Sequence, residues 1–306
     1  MTFNMPTAPP LPPAVNGERV EFDSPAGRLS VYVAGSGPAL LLVHSVNAAA
    51  SAAEVRPIHE HLCATHTVFS LDLPGYGFAE RSDRNYTPRL MTDALHATIE
   101  LIRARCGPQP IDALAVSLAC EFLARAAAEA PAHSRSLALV SPTGFNGTRV
   151  WRGAAGSTRG LPWLYRALRG PRSVWGASLF RGLTRPGVVR YFLQRTWGAK
   201  VIDEALWRYC VLTARQPGAE FAPLAFLAAG LFSDDIHTVY EKLGQPVWMS
   251  HGVRGDFTDY RGKLLVEARA NWRSDVFPTG ALPYFEIPQR FCATYADFLA
   301  APHRAR

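Results

Sequence analysis

Ser117 stands between a six-residue run, Ile111–Val116, that is apolar except at Asp112, and a helical pattern that opens at Leu118 and stops before Pro131. A serine hydroxyl at such a junction attacks a carbonyl only if a neighbouring base takes its proton, because the hydroxyl ionises poorly at neutral pH. His44 and Ser45 follow another apolar run, Ala39–Val43. A third run, 247–250, leads into His251, Gly252 and two loop carboxylates, Asp256 and Asp259. In an open parallel sheet, ligands bind beyond the carboxyl ends of the strands. Serine, histidine and aspartate directly behind apolar runs are therefore the groups to weigh for acyl or proton transfer.

The elements that must position them follow from periodicity. Segments 20–22 and 29–33 alternate apolar with polar residues, as half-buried antiparallel strands do. Segments 39–43, 67–71, 111–116 and 137–140 are short, mostly continuous apolar runs, the pattern of parallel strands buried on both faces. Helical patterns at 52–63, 88–105 and 118–130 alternate with them. This predicts an α/β fold, a mostly parallel sheet flanked by helices. The alternation stops near Gly144 and resumes with a strand at 247–250, a helix at 260–269, a strand at 276–278 and a helix at 286–300. The chain then divides into a Pro-rich tail (1–17), one discontinuous core (18–144 and 240–306) and an inserted helical unit (145–239). The tail reads as disordered or extended.

With 306 residues, 48% of them hydrophobic and 19% charged, the composition is globular. No apolar stretch is long enough to span a bilayer, and the N-terminus lacks the basic and apolar regions of a secretory signal. The five cysteines, Cys63, Cys106, Cys120, Cys210 and Cys292, include no CxxC pair, so neither a disulfide framework nor a zinc site is expected. A cytoplasmic location fits. The net charge of +7 is concentrated: segment 148–216 holds thirteen Lys and Arg against two acidic residues, and five of the seven tryptophans.

Several segments, in order, resemble the α/β-hydrolase superfamily. Ala115-Val116-Ser117-Leu118-Ala119 is similar to its nucleophile elbow, usually G-x-S-x-G, with alanine as the small residue on either side of a sharp turn. His44-Ser45 stands where the family carries the His-Gly of its oxyanion loop, and Asp72-Leu73-Pro74-Gly75-Tyr76-Gly77 resembles its D-x-P-G-x-G segment. Gly252 to Asp256 resembles the loop presenting the acid, although one residue longer, and Asp259 competes for that role. Segment 280–286, Gly-Ala-Leu-Pro-Tyr-Phe-Glu, resembles the family's G-H-x-P-x-x-E. The resemblance implies an α/β-hydrolase fold with the inserted unit as a cap, Ser117 as nucleophile and Asp256 as acid. The oxyanion donors would be the backbone of Leu118 and of the Ser45-Val46-Asn47 loop beside His44.

Ala281 stands in the place of the family's histidine, the group that takes the serine proton and returns it to the leaving group. Glu54 and His237 are the candidate substitutes. Glu54 also reads as a first-turn carboxylate favoured by a helix dipole, and Asn47 as the holder of a local Asx turn. The expected activity is hydrolysis of a small or lipid-like ester, thioester or acyl compound with a non-standard triad, without metal or cofactor. The alternative is a member that has lost hydrolysis and binds a hydrophobic ligand or runs a lyase- or isomerase-type proton transfer. The basic cap has three readings: a solvated surface packed by its aromatics, a contact for anionic membrane surfaces, and a binder of anionic substrates through inward arginines. No motif points to nucleic acid.

Overall fold

The computed structural model describes residues 9–170 and 174–301. Eight strands form one sheet: β1 (Glu18–Phe22), β2 (Leu29–Ala34), β3 (Ala39–Val43), β4 (Thr67–Asp72), β5 (Ile111–Val116), β6 (Ser134–Val140), β7 (Val247–His251) and β8 (Trp272–Val276). Their order is β1-β2-β4-β3-β5-β6-β7-β8, with β1, β2 and β4 antiparallel neighbours and the rest parallel. Every residue of β5 is buried, as its continuous apolar run requires of a strand covered on both faces. The edge strand was misplaced from sequence. The apolar run at 276–278 suggested a strand there, whereas β8 is Trp272–Val276, whose Arg273 and Asp275 give it no apolar run. An edge strand with one neighbour can carry such residues.

Helices cover both faces. In the core they are α1 (Arg56–Leu62), α2 (Pro88–Cys106) and α3 (Ala119–Glu129). Between β6 and β7 the helices are α4 (Pro162–Arg169), α5 (Val174–Leu183), α6 (Pro186–Trp197), α7 (Glu204–Thr213), α8 (Phe221–Leu227) and α9 (Ile236–Lys242). The last of these packs on α3 and returns the chain to the core. The short α10 (Leu264–Glu267), α11 (Pro283–Glu286) and α12 (Pro288–Ala300) complete the fold.

Of the Pro-rich tail, residues 1–8 lie outside the described residues, and residues 9–17 dock on the core through a bend at 14–17. Tyr209 Oη donates to the Pro12 carbonyl (2.9 Å), the Ala14 amide donates to Tyr32 Oη (3.1 Å), and Ala14 and Val15 are buried. His59 lies beneath: one ring nitrogen is 3.0 Å from the Asn16 carbonyl, the other 2.8 Å from Ser70 Oγ. Burial lowers its pKa to about 4. The unfolded chain protonates this histidine near pH 6.5 and the folded chain only near 4, so its neutral form stabilises the fold above that window and the contribution is lost on acidification. His59→Gln, which still donates to Asn16, is expected to lose less stability than the parent between pH 6.5 and 4. The difference should be about 3 kcal/mol in urea unfolding.

Candidate active site

Strand register brings the candidate groups together. Val43 pairs with Ala115, so Ser45 and Ser117 lie level beyond the ends of β3 and β5. Val140 pairs with Val116 on one side and with Ser250 on the other, which sets Ser141 beside Ser117 and His251 beside Ser141. Ser117 has φ +55, a left-handed conformation that costs a non-glycine residue about 1–3 kcal/mol. It is half-buried, its amide donates to the Val140 carbonyl (2.8 Å), and α3 begins two residues later. The sharp strand–turn–helix at this serine is therefore present.

Two backbone amides flank it. The N–H groups of Val46 and Leu118 donate to no described residue, although both residues are nearly fully buried. Buried amides are seldom left unpaired, and these two sit at the ends of adjacent strands where a carbonyl oxygen could lie. The other candidate donors are occupied. The Ser45 amide donates to Glu54 Oε2 (2.9 Å), and Asn47 Nδ2 donates to Glu54 Oε1 (2.6 Å) and to Ser45 Oγ (3.0 Å). Asn47 Oδ1 accepts from the Ala49 amide (2.7 Å), the Asx arrangement. Glu54 thus braces the loop from below. It is buried, and burial raises its pKa against the hydrogen bonds from Ser45 and Asn47.

His44 is structural. It is fully buried, its Nε2 accepts from the Leu73 amide (3.0 Å), its Nδ1 is 2.6 Å from the Ser45 carbonyl, and burial holds its pKa near 4. His237 likewise has both nitrogens engaged: Nδ1 accepts from the Trp151 amide (2.6 Å) and Nε2 is 2.8 Å from the Gly144 carbonyl. It ties α9 to the 144–151 stretch after β6, and both its nitrogens are taken. His251 stacks on Tyr260 with ring centroids 4.1 Å apart.

Asp256 is exposed. Its carboxylate pairs with Arg195 of α6 (2.7 Å) at an open surface groove lined also by Tyr191, Gln194 and Lys200. Asp259 pairs with Arg261 and likewise faces solvent in part. The extra residue after Gly252 lets the loop run outward: its amides at Val253 and Arg254 bond the Thr279 carbonyl, and that of Asp256 bonds the Arg195 carbonyl. Asp256→Ala is accordingly expected to leave turnover within about twofold and the melting temperature within about 2 °C. Loss of activity on this substitution would restore it as the acid.

Ala281 occupies a tight position. Its amide donates to the Thr196 carbonyl (2.9 Å) and its carbonyl accepts from Ser141 Oγ (2.7 Å). Before it, a Cβ on Gly280 would lie 2.5 Å from Trp197 Cα, so the end of α6 presses directly on this turn. Glu286 fixes the turn by accepting from the Gly280 amide (2.7 Å) and pairing with Arg254. Sequence reasoning passed over Tyr76 and Tyr284. Both hydroxyls are buried without a hydrogen-bond partner, and burial, with the negative charge of Glu54 adding to it, keeps both phenols protonated. The signal was present in Tyr284, three residues beyond the vacant histidine position, but an apolar neighbourhood makes such a tyrosine read as core.

The D-x-P-G-x-G segment is likewise a brace. Asp72, buried, accepts from the amides of Ala52 (2.8 Å) and Phe78 (2.9 Å), and burial raises its pKa to about 6. Gly77 has φ +50, and a Cβ there would come within 2.0 Å of the Asp72 carboxyl. Among the described residues no group of three or more His, Cys, Asp or Glu could hold a metal ion.

Residues 38–182 match the family model described as alpha/beta hydrolase fold. No curated protein matches the chain by sequence. Among solved structures, it is similar to a serine hydrolase involved in carbazole degradation, with a TM-score of 0.70, 16% identity, and 92% of this chain and 99% of that one covered. An enol-lactonase from Burkholderia xenovorans gives a TM-score of 0.68 at 15% identity, covering 92% and 100%. An esterase from Thermogutta terrifontis gives 0.68 at 16%, covering 92% and 98%. Strand order, turn geometry at Ser117 and these comparisons agree: the chain has the α/β-hydrolase fold.

Proposed function

We propose that the chain is a hydrolase of small or lipid-like esters, thioesters or related acyl compounds, using Ser117 as nucleophile without a histidine–aspartate pair. The observation that carries this reading is the pair of unbonded, buried amides at Val46 and Leu118 on either side of a serine held at φ +55. If these amides serve a developing oxyanion, each would be worth about 2.7–4 kcal/mol in acyl transfer. The similar structures include an esterase and an enol-lactonase, which act on carbonyls of this type. Glu54 serves as the base. It is buried beside the Ser45-Val46-Asn47 loop, and a carboxylate whose pKa burial raises is a stronger proton acceptor than an exposed one. Tyr76 and Tyr284 offer neutral hydroxyls to the substrate. This chemistry calls for no metal or cofactor.

A second reading is favoured by Ala281 itself: with no histidine, the same pocket would run a proton transfer between Glu54 and a bound carbonyl compound, and Ser117 would only hydrogen-bond it. Intact mass after incubation with a fluorophosphonate separates the two. A single adduct, absent from Ser117→Ala, is the expected result. An unmodified, folded chain overturns hydrolysis by Ser117 and leaves the proton-transfer reading.

A further inference from the structure

Five arginines of the inserted segment are ion-paired. Arg152, Arg159, Arg169, Arg190 and Arg195 pair with Glu241, Glu121, Asp83, Glu204 and Asp256. Several of these also stack on aromatic rings: Arg159 lies 4.7 Å from the Trp151 ring and Arg190 4.3 Å from that of Trp207. This group is internally satisfied, and Arg159 within it is largely buried against Glu121. Arg166, Arg181 and Arg185 are exposed and make no ion pair with any described carboxylate.

Arg166 lies on α4, Arg181 on α5 and Arg185 two residues past α5, and these two helices carry exposed aromatics. On α4, Trp163 (64% exposed) shares a face with Arg166, three residues on. On α5, Trp175 (80% exposed) shares a face with Leu179 (43%), four residues on, with Arg181 and Arg185 beyond. Both helices pack on α8 and on each other, and Gly176 of α5 meets Leu224 of α8. Their inner sides are thus taken, and both tryptophans, on neighbouring packed helices, are left exposed. Leaving two indoles in water is costly unless something covers them.

We propose that this α4–α5 surface docks on an anionic lipid bilayer. Indole rings settle at the boundary between headgroups and acyl chains, where the ring is apolar and the N–H stays wet. The guanidinium groups of Arg166, Arg181 and Arg185, on or next to the same helices and without carboxylates of their own, complement lipid phosphates. The charge of the inserted segment, +11 over 148–216 by the same count of residues, attracts the same surface at longer range. A protein partner would more readily meet a flat patch with mixed charge, and this one is of a single sign. The inference is independent of the reaction assigned to Ser117.

Sedimentation of the full chain with vesicles tests it. Vesicles containing phosphatidylglycerol are expected to bind it at least about tenfold more tightly than phosphatidylcholine alone, with binding weakened by salt. Trp163→Ala with Trp175→Ala should lower that binding about tenfold while the thermal melt is unchanged, since both rings are exposed. Arg166→Glu with Arg181→Glu should lower it as well, through charge. Equal binding to both vesicle types, no binding, or full binding by the tryptophan variant overturns the proposal. A dimer in sedimentation velocity that the tryptophan changes disperse assigns the patch to a second copy and overturns it too.

Discussion

Glu54→Gln is expected to lower ester turnover by about 10²–10⁴-fold, the range by which a positioned proton acceptor contributes. The change is nearly isosteric, so the side chain still fills its buried place. A carboxylate accepts from the Ser45 amide and from Asn47 Nδ2 at the same time. An amide in the same position must turn its NH₂ toward one of those donors, which adds a stability cost of about 1–3 kcal/mol. The two effects are separable by pH. The parent should show an acidic limb in kcat/KM above the ordinary carboxylate range, because burial raises the pKa of Glu54 and its charged form is the one that accepts a proton. In Glu54→Gln that limb should vanish while the melt shows a folded protein. A folded variant with full turnover and the same acidic limb would reduce Glu54 to a brace for the oxyanion loop.

Much of the framework was legible because it depends on short-range pattern. Buried parallel strands need continuous apolar runs, and Ala39–Val43 and Ile111–Val116 were located to the residue. Ser117 was legible for the same reason: a small residue on each side, a strand before and a helix after leave few other conformations. Asp256 was less so, since the inserted loop residue decides on which side of the turn its carboxylate emerges, and Arg195, 61 residues away in sequence, captures it. His237 shows a related limit. A histidine near a site by chain order becomes a proton carrier or a structural pin according to two backbone partners, Trp151 and Gly144, that pattern does not reveal. The resemblance offered the Leu118 amide and the whole Ser45-Val46-Asn47 loop as oxyanion donors; which of these Glu54 occupies depends on a contact nine residues along the chain that pattern does not reveal.

Arg159→Met is expected to destabilise the chain by about 3–5 kcal/mol at neutral pH, because it leaves the carboxylate of Glu121 buried without its cation. Glu121 belongs to α3, the helix that Ser117 and Leu118 open, and its side chain is fully buried. It accepts from Arg159 (2.7 Å), Thr143 Oγ1 (2.6 Å) and the Ser233 amide (2.8 Å), so three segments at the base of the cap converge on one carboxylate. The entering and leaving cap strands meet at the same place, with the Arg159 amide on the Phe232 carbonyl (2.9 Å). Adding Glu121→Gln to Arg159→Met should recover part of the loss, since the double variant buries no charge. The pH dependence has a definite sign. Burial already raises the pKa of Glu121 despite Arg159, and removing Arg159 raises it further. The stranded carboxylate can then be relieved by protonation, and the gap between Arg159→Met and the parent should shrink from pH 8 toward pH 5 in urea unfolding. A gap that stays constant with pH, or that the second substitution does not narrow, would place the loss in the stacking of Arg159 on Trp151 and Phe232 instead.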